Sequence, residues 1–553
     1  MAILVLGWSS TAFGQDDLLD DDLGLLYSSQ VQFGTDGIPR VTIGLMDDQD
    51  KVVLRGPSGM SLQGKVELDG QLVSRRLHSR PGEAWRFEAH EPTRAQVRYW
   101  CAVASVPFAE KEKLKEVMGI WKGRSENLQV FEVGGVFGVH GHVIDNRTYI
   151  LGIRDYDSER AAELAAEDVF NTYGDRSFVH AHLARRPSGG VRVQRLSGGP
   201  VETFVDLVVV RSNGKEPVQV DEVEFGRGYK RHGRENRSYN GDVIVTLDRQ
   251  GKLVVVNRIA IDELLNGLVP VEIFPTAPME ALKAQAVVAR GEVFAKLGTR
   301  HFLDPYLLCA ATHCQVYSGR KVKHPRASAA VTATRGQLLF LGPDLVDSVY
   351  SASCGGHGED NDAVWSDPPS KALRGRPDAE SRPVLNLSDP DRLKVFLENP
   401  PKSFCRTSSF NRKKIYRWER SIPSEKLDAL VAKTQDVGHV VSIQILSRGV
   451  SGRVKVVRVV GEKGDLVMQR EWPVRKLFGN LKSGMFLVKS LLDAKQNVIG
   501  FHFVGGGWGH GVGMCQIGAT GMAQQGYDFR QILAHYYGGA EVVQLYGAEV
   551  IKE

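Results

Sequence analysis

From Val31 onward the chain repeats one device: short runs of alternating apolar and polar residues closed by Gly or Asp, as in VQFGTDGIPRVTIGLMDDQDKVVLRGPSG. Period-two alternation lays an apolar face along a strand and Gly/Asp pairs supply the turns, so residues 31–92 are expected to be a β-rich segment. The 59 glycines among 553 residues, somewhat above the usual share of about 7%, extend that expectation to the whole chain. Such a length exceeds one hydrophobic core and predicts roughly three or four units. Ordinary hydrophobic (42%) and charged (24%) contents exclude a disordered chain. A net charge of +5 admits an acidic polymer as partner but is too dilute for a nucleic-acid face, so no nucleic-acid partner is expected.

Residues 1–15, MAILVLGWSSTAFGQ, read as a secretory signal peptide without its charged start, since the first basic residue is Arg40; the alternative is a buried first strand. Export to the periplasm, the cell wall or the medium is expected. No run of 18 apolar residues follows, so no transmembrane span is expected. Residues 16–30 form an acidic leader, read as an exposed tether. Over 93–187 the pattern changes to strand, helix, two strands and helix, the second helix capped by Ser158, which describes an inserted α/β module. Its opening, WCAVASVPFAEKEKL, is faintly similar to the small sporulation-related repeat domain, which implies binding of glycan strands stripped of peptides. Trp100, Phe137 and Gly138 fit equally well as core and turn residues. The Gly/Arg-rich stretch 188–237 reads as a basic linker with some β structure.

The informative part is 238–553. Two strands and a short helix around Asp262 to Leu265 lead into GLVPVEIFP, where Glu272 stands alone among Val271, Ile273 and Phe274. A helix is expected next, with Thr276 as its N-cap, Pro278 in its first turn and Gly298 as its stop. Glu272 is then in a loop entering that helix. It is either a desolvated acid/base or an acid stabilising the helix start. Lys283, Val287 and Arg290 share one helix face, beside the acid or in solvent, while Leu282, Ala286 and Ala289 can face a core. Two later loops, YSASCGGHG and GGGWGHGVGMCQIG, place Tyr350, Ser351, Ser353, His357, Trp508, His510 and Gln516 among glycines. Glycine lets backbone approach a ligand closely, or else lets strands pack tightly.

Three ordered blocks carry a family resemblance: VNRIAIDELLNGLVPVEIFPTAPMEALKAQAVVARGEVFAKLG, ATRGQLLFLGPDLVDSVYSASCGGHGEDNDAVW and GGGWGHGVGMCQIGATGMAQQGYDFRQILAHYYGGAEV. Together they resemble the stage II sporulation protein D (SpoIID) family, which includes the amidase enhancers (LytB). The resemblance implies that 238–553 is a SpoIID-like catalytic domain and that the protein is a peptidoglycan lytic transglycosylase acting on peptide-poor glycan strands. Glu272 occupies the position of the family's catalytic glutamate. One carboxyl group suffices for such a reaction: it protonates the glycosidic oxygen, then takes the proton of the muramic acid O6 hydroxyl that closes the 1,6-anhydro ring. Lys283, Arg290, Tyr350, Ser351, Ser353, His357, His510 and Gln516 are the expected substrate-binding residues. The sequence departs from the family at Val271, at ARGEV in the helix and at SASCGGHGE in the first loop.

No cofactor is required by this chemistry. Some family members bind zinc through one His and two Cys near LLCAATHCQ, which suggests a structural zinc on Cys309, Cys314, His301 and Cys354 here. The alternative is disulfides among Cys309, Cys314, Cys354 and Cys405. Cys101 and Cys515 read as buried small hydrophobes. Expected partners are peptidoglycan glycan strands and an N-acetylmuramoyl-L-alanine amidase; a non-catalytic enhancer of such an amidase is the competing function. The expected fold is α+β, a β-rich SpoIID-like core with a catalytic helix region and the inserted α/β module.

Overall fold

The computed structural model describes residues 22–547, apart from 126, 140–141, 176, 227–231, 312, 321–322, 366–367 and 382–384. The expected signal peptide, 1–15, and the leader as far as 21 lie outside the described residues. The fold is α+β and rich in β structure. Two compact units emerge: one of the residues up to Val271 with Val293–Lys323 and Leu545 onward, the other of Glu272–Glu292 with His324–Gln544. The expected domain 238–553 is therefore divided. Its early strands, Asp242–Leu247 and Leu253–Ala260, are buried nearly along their length and complete a sheet begun by the first 230 residues.

In the first unit that sheet runs in the order Pro39–Gln49, Leu253–Ala260, Asp242–Leu247, Glu202–Ser212, Ser188–Arg195, Ala84–Thr93, Lys51–Arg55, Val218–Phe225 and Gly233–Tyr239. The stretch 188–237 is thus mostly strand and not linker. Arg192, Lys215, Glu216 and Glu222 are exposed while Val191, Val193, Val208 and Val220 are buried, so its apolar residues serve the sheet's packing. The leader is no tether where it is described: Asp22–Leu26 is a short helix, and Leu26 packs with Leu207, Val209 and Ile244.

A separate four-stranded antiparallel sheet, in the order Phe178–Arg185, Gln96–Pro107, Thr148–Tyr156 and Gln129–Val133, carries the helices Lys111–Lys122 and Glu159–Tyr173. This is the split βαβ arrangement. Cys101, Trp121, Leu151 and Val169 form its core, and the Ser158 hydroxyl accepts the Ala161 N–H at 3.3 Å to cap the second helix.

The second unit contains the first turns of helix Met279–Lys296, where Ala281, Leu282, Ala284, Gln285, Ala286, Val287, Val288 and Ala289 are all fully buried. Its main apolar core gathers Trp418, Ile422, Leu427, Val454, Val474, Phe478, Phe486 and Phe503 from two three-stranded sheets and the helices beside them. A short parallel pairing, Tyr350 with Met514 and Ser351 with Cys515, joins the two glycine-rich loops. At Gly355 (φ +75°) a Cβ would stand 2.7 Å from the Gly507 nitrogen, and at Gly507 (φ +80°) 2.7 Å from the Ser353 carbonyl oxygen. Backbone touches backbone there, and only glycine permits it.

Candidate active site

Glu272 is not in a loop. The helix expected near Asp262 to Leu265 runs from Ile261 to Glu272, with Pro270 in its last turn, so the acid ends that helix. A carboxylate at a helix C-terminus faces the negative end of the dipole, the opposite of a helix-start acid. The following turn is held open by Arg326, whose Nη2 donates to the Ala277 carbonyl at 2.8 Å and Nε to that of Pro275 at 3.3 Å. The next helix therefore starts late: its first bond runs from Leu282 N–H to the Pro278 carbonyl at 3.1 Å, beyond the expected Thr276 cap. Of the apolar neighbours only Ile273 is buried, at 4% exposure; Val271 (40%) and Phe274 (38%) face solvent. Phe274 packs on Phe410 at 5.7 Å, and the Arg412 guanidinium lies 5.4 Å from the Phe274 ring centre. An exposed aromatic face beside a half-buried acid suits the apolar face of a sugar.

Three predicted residues converge on the acid. The Tyr350 hydroxyl hydrogen-bonds the Glu272 carboxylate; burial, with the charges of Glu272 and Glu292, pushes the Tyr350 pKa well above its ordinary value. This phenol therefore stays a donor. Gln516 Nε2 donates to the Glu272 carbonyl at 2.8 Å and to Gln285 Oε1 at 3.2 Å, fixing the end of the acid's helix. His510 Nδ1 accepts the Val512 N–H at 3.1 Å, so its Nε2–H donates to the Tyr350 carbonyl at 2.9 Å. Its ring rests on Trp365 at 4.9 Å.

The other predicted binding residues are framework. Lys283 Nζ pairs with Glu280 Oε1 at 2.7 Å, and Glu280 Oε2 accepts the N–H of Phe529 at 3.0 Å, so the pair holds helix Phe529–Tyr536. Arg290 is fully buried and donates to the Gln337 carbonyl at 3.2 Å. His357 is buried between the carbonyl oxygens of Gly358 (2.7 Å) and Leu385 (2.9 Å), and burial lowers its pKa despite those contacts. Ser353 Oγ accepts the Gly355 N–H at 3.3 Å, and Ser351 is buried beneath Gly509. Sequence reading missed Gln285, Phe410, Arg412 and Trp365. Gln285 had a signal, a lone amide in an apolar helical run.

The predicted metal set is also redistributed. In the first unit His301, Cys309, His313 and Cys314 bring their ligand atoms within 4.8 Å of one another; Cys354 belongs to the second unit, grouped with Asp378, Cys405 and Cys515. His313 takes the fourth place because it directly precedes Cys314 and turns its Nδ1 to both sulfurs, at 3.7 and 3.6 Å. His301 Nε2 lies 3.4 Å from Cys314 Sγ while its Nδ1 meets the Asp304 carboxylate at 3.0 Å, the outer partner that orients a ligand imidazole. Burial works against a charged His301, but hydrogen bonds to Asp304 and Cys309 outweigh it and push the pKa up to about 9. Two thiols and two imidazoles are a fitting donor set for tetrahedral zinc.

Residues 249–341 match the family model described as stage II sporulation protein (SpoIID), and residues 359–513 match that of a domain of unknown function (DUF8618). Among curated proteins, an uncharacterized protein of Brachyspira hyodysenteriae is 27% identical over 292 residues, 53% of this chain and 68% of that protein. The amidase enhancer of Bacillus subtilis is 28% identical over 287 residues, 50% of this chain and 39% of that protein. The stage II sporulation protein D of Bacillus amyloliquefaciens is 25% identical over 305 residues, 52% of this chain and 75% of that protein.

Proposed function

The chain belongs to the stage II sporulation protein D and amidase-enhancer family, and on that premise we propose that it is an exported peptidoglycan lytic transglycosylase with Glu272 as its acid and base. The observation that carries the reading is the support given to this one carboxyl group: Tyr350 on its oxygen, Gln516 on its backbone and the exposed Phe274 beside it. Glu272 first donates its proton to the glycosidic oxygen, breaking the bond to C1 of the muramic acid. The carboxylate, held by the Tyr350 hydroxyl, then accepts the proton of the O6 hydroxyl as O6 attacks C1 and closes the anhydro ring. The helix C-terminus and the Tyr350 donor act in opposite senses on the charge, which suits a group that must hold a proton and then regain it.

His510 and Gln516 do not touch sugar in this scheme; they position Tyr350 and Glu272. A zinc held by His301, Cys309, His313 and Cys314 would tie down 301–314 in the first unit, with a Cys309–Cys314 disulfide as the alternative. In the same unit a groove of about 810 Å³, lined by Trp100, Phe131, His180 and Phe302, is a second place to hold a glycan strand. No helix of the described residues is long and apolar enough to cross a membrane.

Incubation with purified glycan strands free of stem peptides tests the reading. The expected products carry 1,6-anhydro-muramic ends by mass spectrometry and no new reducing ends. New reducing ends would make it a hydrolase. An inert protein that still stimulates a cell-wall amidase, with or without Glu272, would make it the non-catalytic enhancer suggested by the name of its relative.

A further inference from the structure

Cys354, Asp378, Cys405 and Cys515 are distant in sequence, yet their ligand atoms lie within 4.8 Å of one another and all four residues are buried, none more than 2% exposed. The Sγ atoms of Cys354 and Cys405 are 3.8 Å apart. Four ligands around a tetrahedral ion with metal–sulfur bonds of about 2.3 Å put neighbouring sulfurs about 3.8 Å apart, whereas a disulfide would bring them to about 2.05 Å. Three of the donors also have outer partners, Cys405 Sγ meeting the Ser403 hydroxyl at 3.6 Å. Cys515 Sγ accepts the backbone N–H of Cys354 at 3.2 Å and of Gly518 at 3.3 Å, contacts that favour a thiolate. Asp378 Oδ1 accepts the Tyr536 hydroxyl at 2.7 Å and Oδ2 the Cys405 N–H at 2.8 Å. At Gly518 a Cβ would stand 2.1 Å from the Tyr536 hydroxyl oxygen and 2.9 Å from Asp378 Oδ1, so the pocket exists only because that residue has no side chain.

We propose that Cys354, Asp378, Cys405 and Cys515 form a closed site for one zinc ion, separate from the histidine-containing cluster of the first unit. Binding exchanges the three thiol protons, released to solvent, for three metal–sulfur bonds, with the carboxylate as fourth ligand. The soft sulfur-rich set selects zinc over magnesium or calcium. The mutual spacing of the donors fits a single ion and leaves no room for a multi-iron cluster. Its place gives it a task. Cys354 lies in the first glycine-rich loop, and Cys515 pairs with Ser351 and directly precedes Gln516. The ion would clamp both loops where they deliver Tyr350 and Gln516 to Glu272, a positioning role.

Zinc K-edge absorption on the full-length wild-type chain, purified under reductant and without chelator, reads the site with no mutation. A component with three sulfurs and one oxygen is expected, either alone or beside a two-sulfur, two-nitrogen component from the other cluster. In the Cys309→Ser/Cys314→Ser variant the three-sulfur component should remain at one zinc per chain, and adding Cys405→Ser should abolish it. Wild-type protein with only the two-sulfur, two-nitrogen shell, or with no metal, overturns the proposal. So does a Cys354–Cys405 disulfide in protein purified with zinc but without reductant, seen as a gain of about two daltons on reduction.

Discussion

Within the second unit, the residues delivered by the family blocks divide into two regions of opposite character. Around Glu272, polar groups are aimed at one another's reactive or positioning atoms: a phenol on a carboxylate, an amide on a helix end, an imidazole on a backbone carbonyl. Around Arg290, Ser353 and His357, side chains equally polar are spent on backbone groups far from solvent. Both regions look alike in sequence, polar residues set singly among small or apolar ones. Partner identity separates them: a side chain bonded to Glu272 or Tyr350, through their side chains or their backbone, supports the candidate site, and one whose partners are other buried backbone groups supports the fold.

The sharpest way to break this division is Glu272→Gln. It keeps the volume but cannot cycle a proton, so turnover on peptide-free glycans should fall about 10²–10⁴-fold while the melting temperature stays level or rises, because a charge leaves a helix C-terminus. A melting temperature several degrees lower with activity kept would return Glu272 to the framework. The converse probe is Arg290→Met, which strips donors from buried carbonyls. Denaturant unfolding should show a loss of about 2–4 kcal/mol, since each buried group left unpaired costs about 1–3 kcal/mol. A soluble, fully stable variant with a weakened affinity for glycan would move Arg290 into the site.

Tyr350→Phe should leave stability nearly unchanged and lower turnover about tenfold, the worth of one hydrogen bond to a charged group, with a displaced pH profile. An unaltered pH profile would reduce Tyr350 to packing. The smallest effect belongs to His357. Burial holds its folded pKa below the ordinary 6.5, so its contribution is present above that value and drains away as pH falls through the folded pKa. Thermal melts between pH 7 and about 4.5 should show this acid loss partly flattened in His357→Gln. A variant that tracks the wild type at every pH would remove His357 from the account.

Much of the first unit was readable from period-two alternation, and the helix and strand order of 93–187 from the change of period and a Ser cap. The errors have local causes. The helix expected around Asp262 to Leu265 runs on through Gly267 and Pro270 to Glu272, and Gly267 serves close packing: a Cβ there would stand 2.8 Å from the Tyr317 ring. The leader read as a tether because of its acids, while Leu26 was the residue that mattered. Tyr350, His510 and Gln516 stand out in sequence as polar residues in glycine loops, and so do Ser353 and His357; the fold turns the first three toward Glu272 and the other two toward backbone, which composition does not say. Cys515 is buried as expected, but Cys354, grouped by type with Cys309, Cys314 and His301, lies instead beside Asp378, Cys405 and Cys515, because only the folded chain brings 354, 378, 405 and 515 together.

The crossing of Gly355 and Gly507 has a consequence for anyone who would redesign the glycine-rich loops. A large residue in an ordinary core can be rescued by shrinking its neighbour, but here the neighbour of each absent side chain is main chain, which has nothing to give up. No second-site change compensates. These two positions are fixed points of any mutant library, and diversity aimed at new ligands belongs on the surfaces that remain adjustable, Phe274, Phe410 and Arg412.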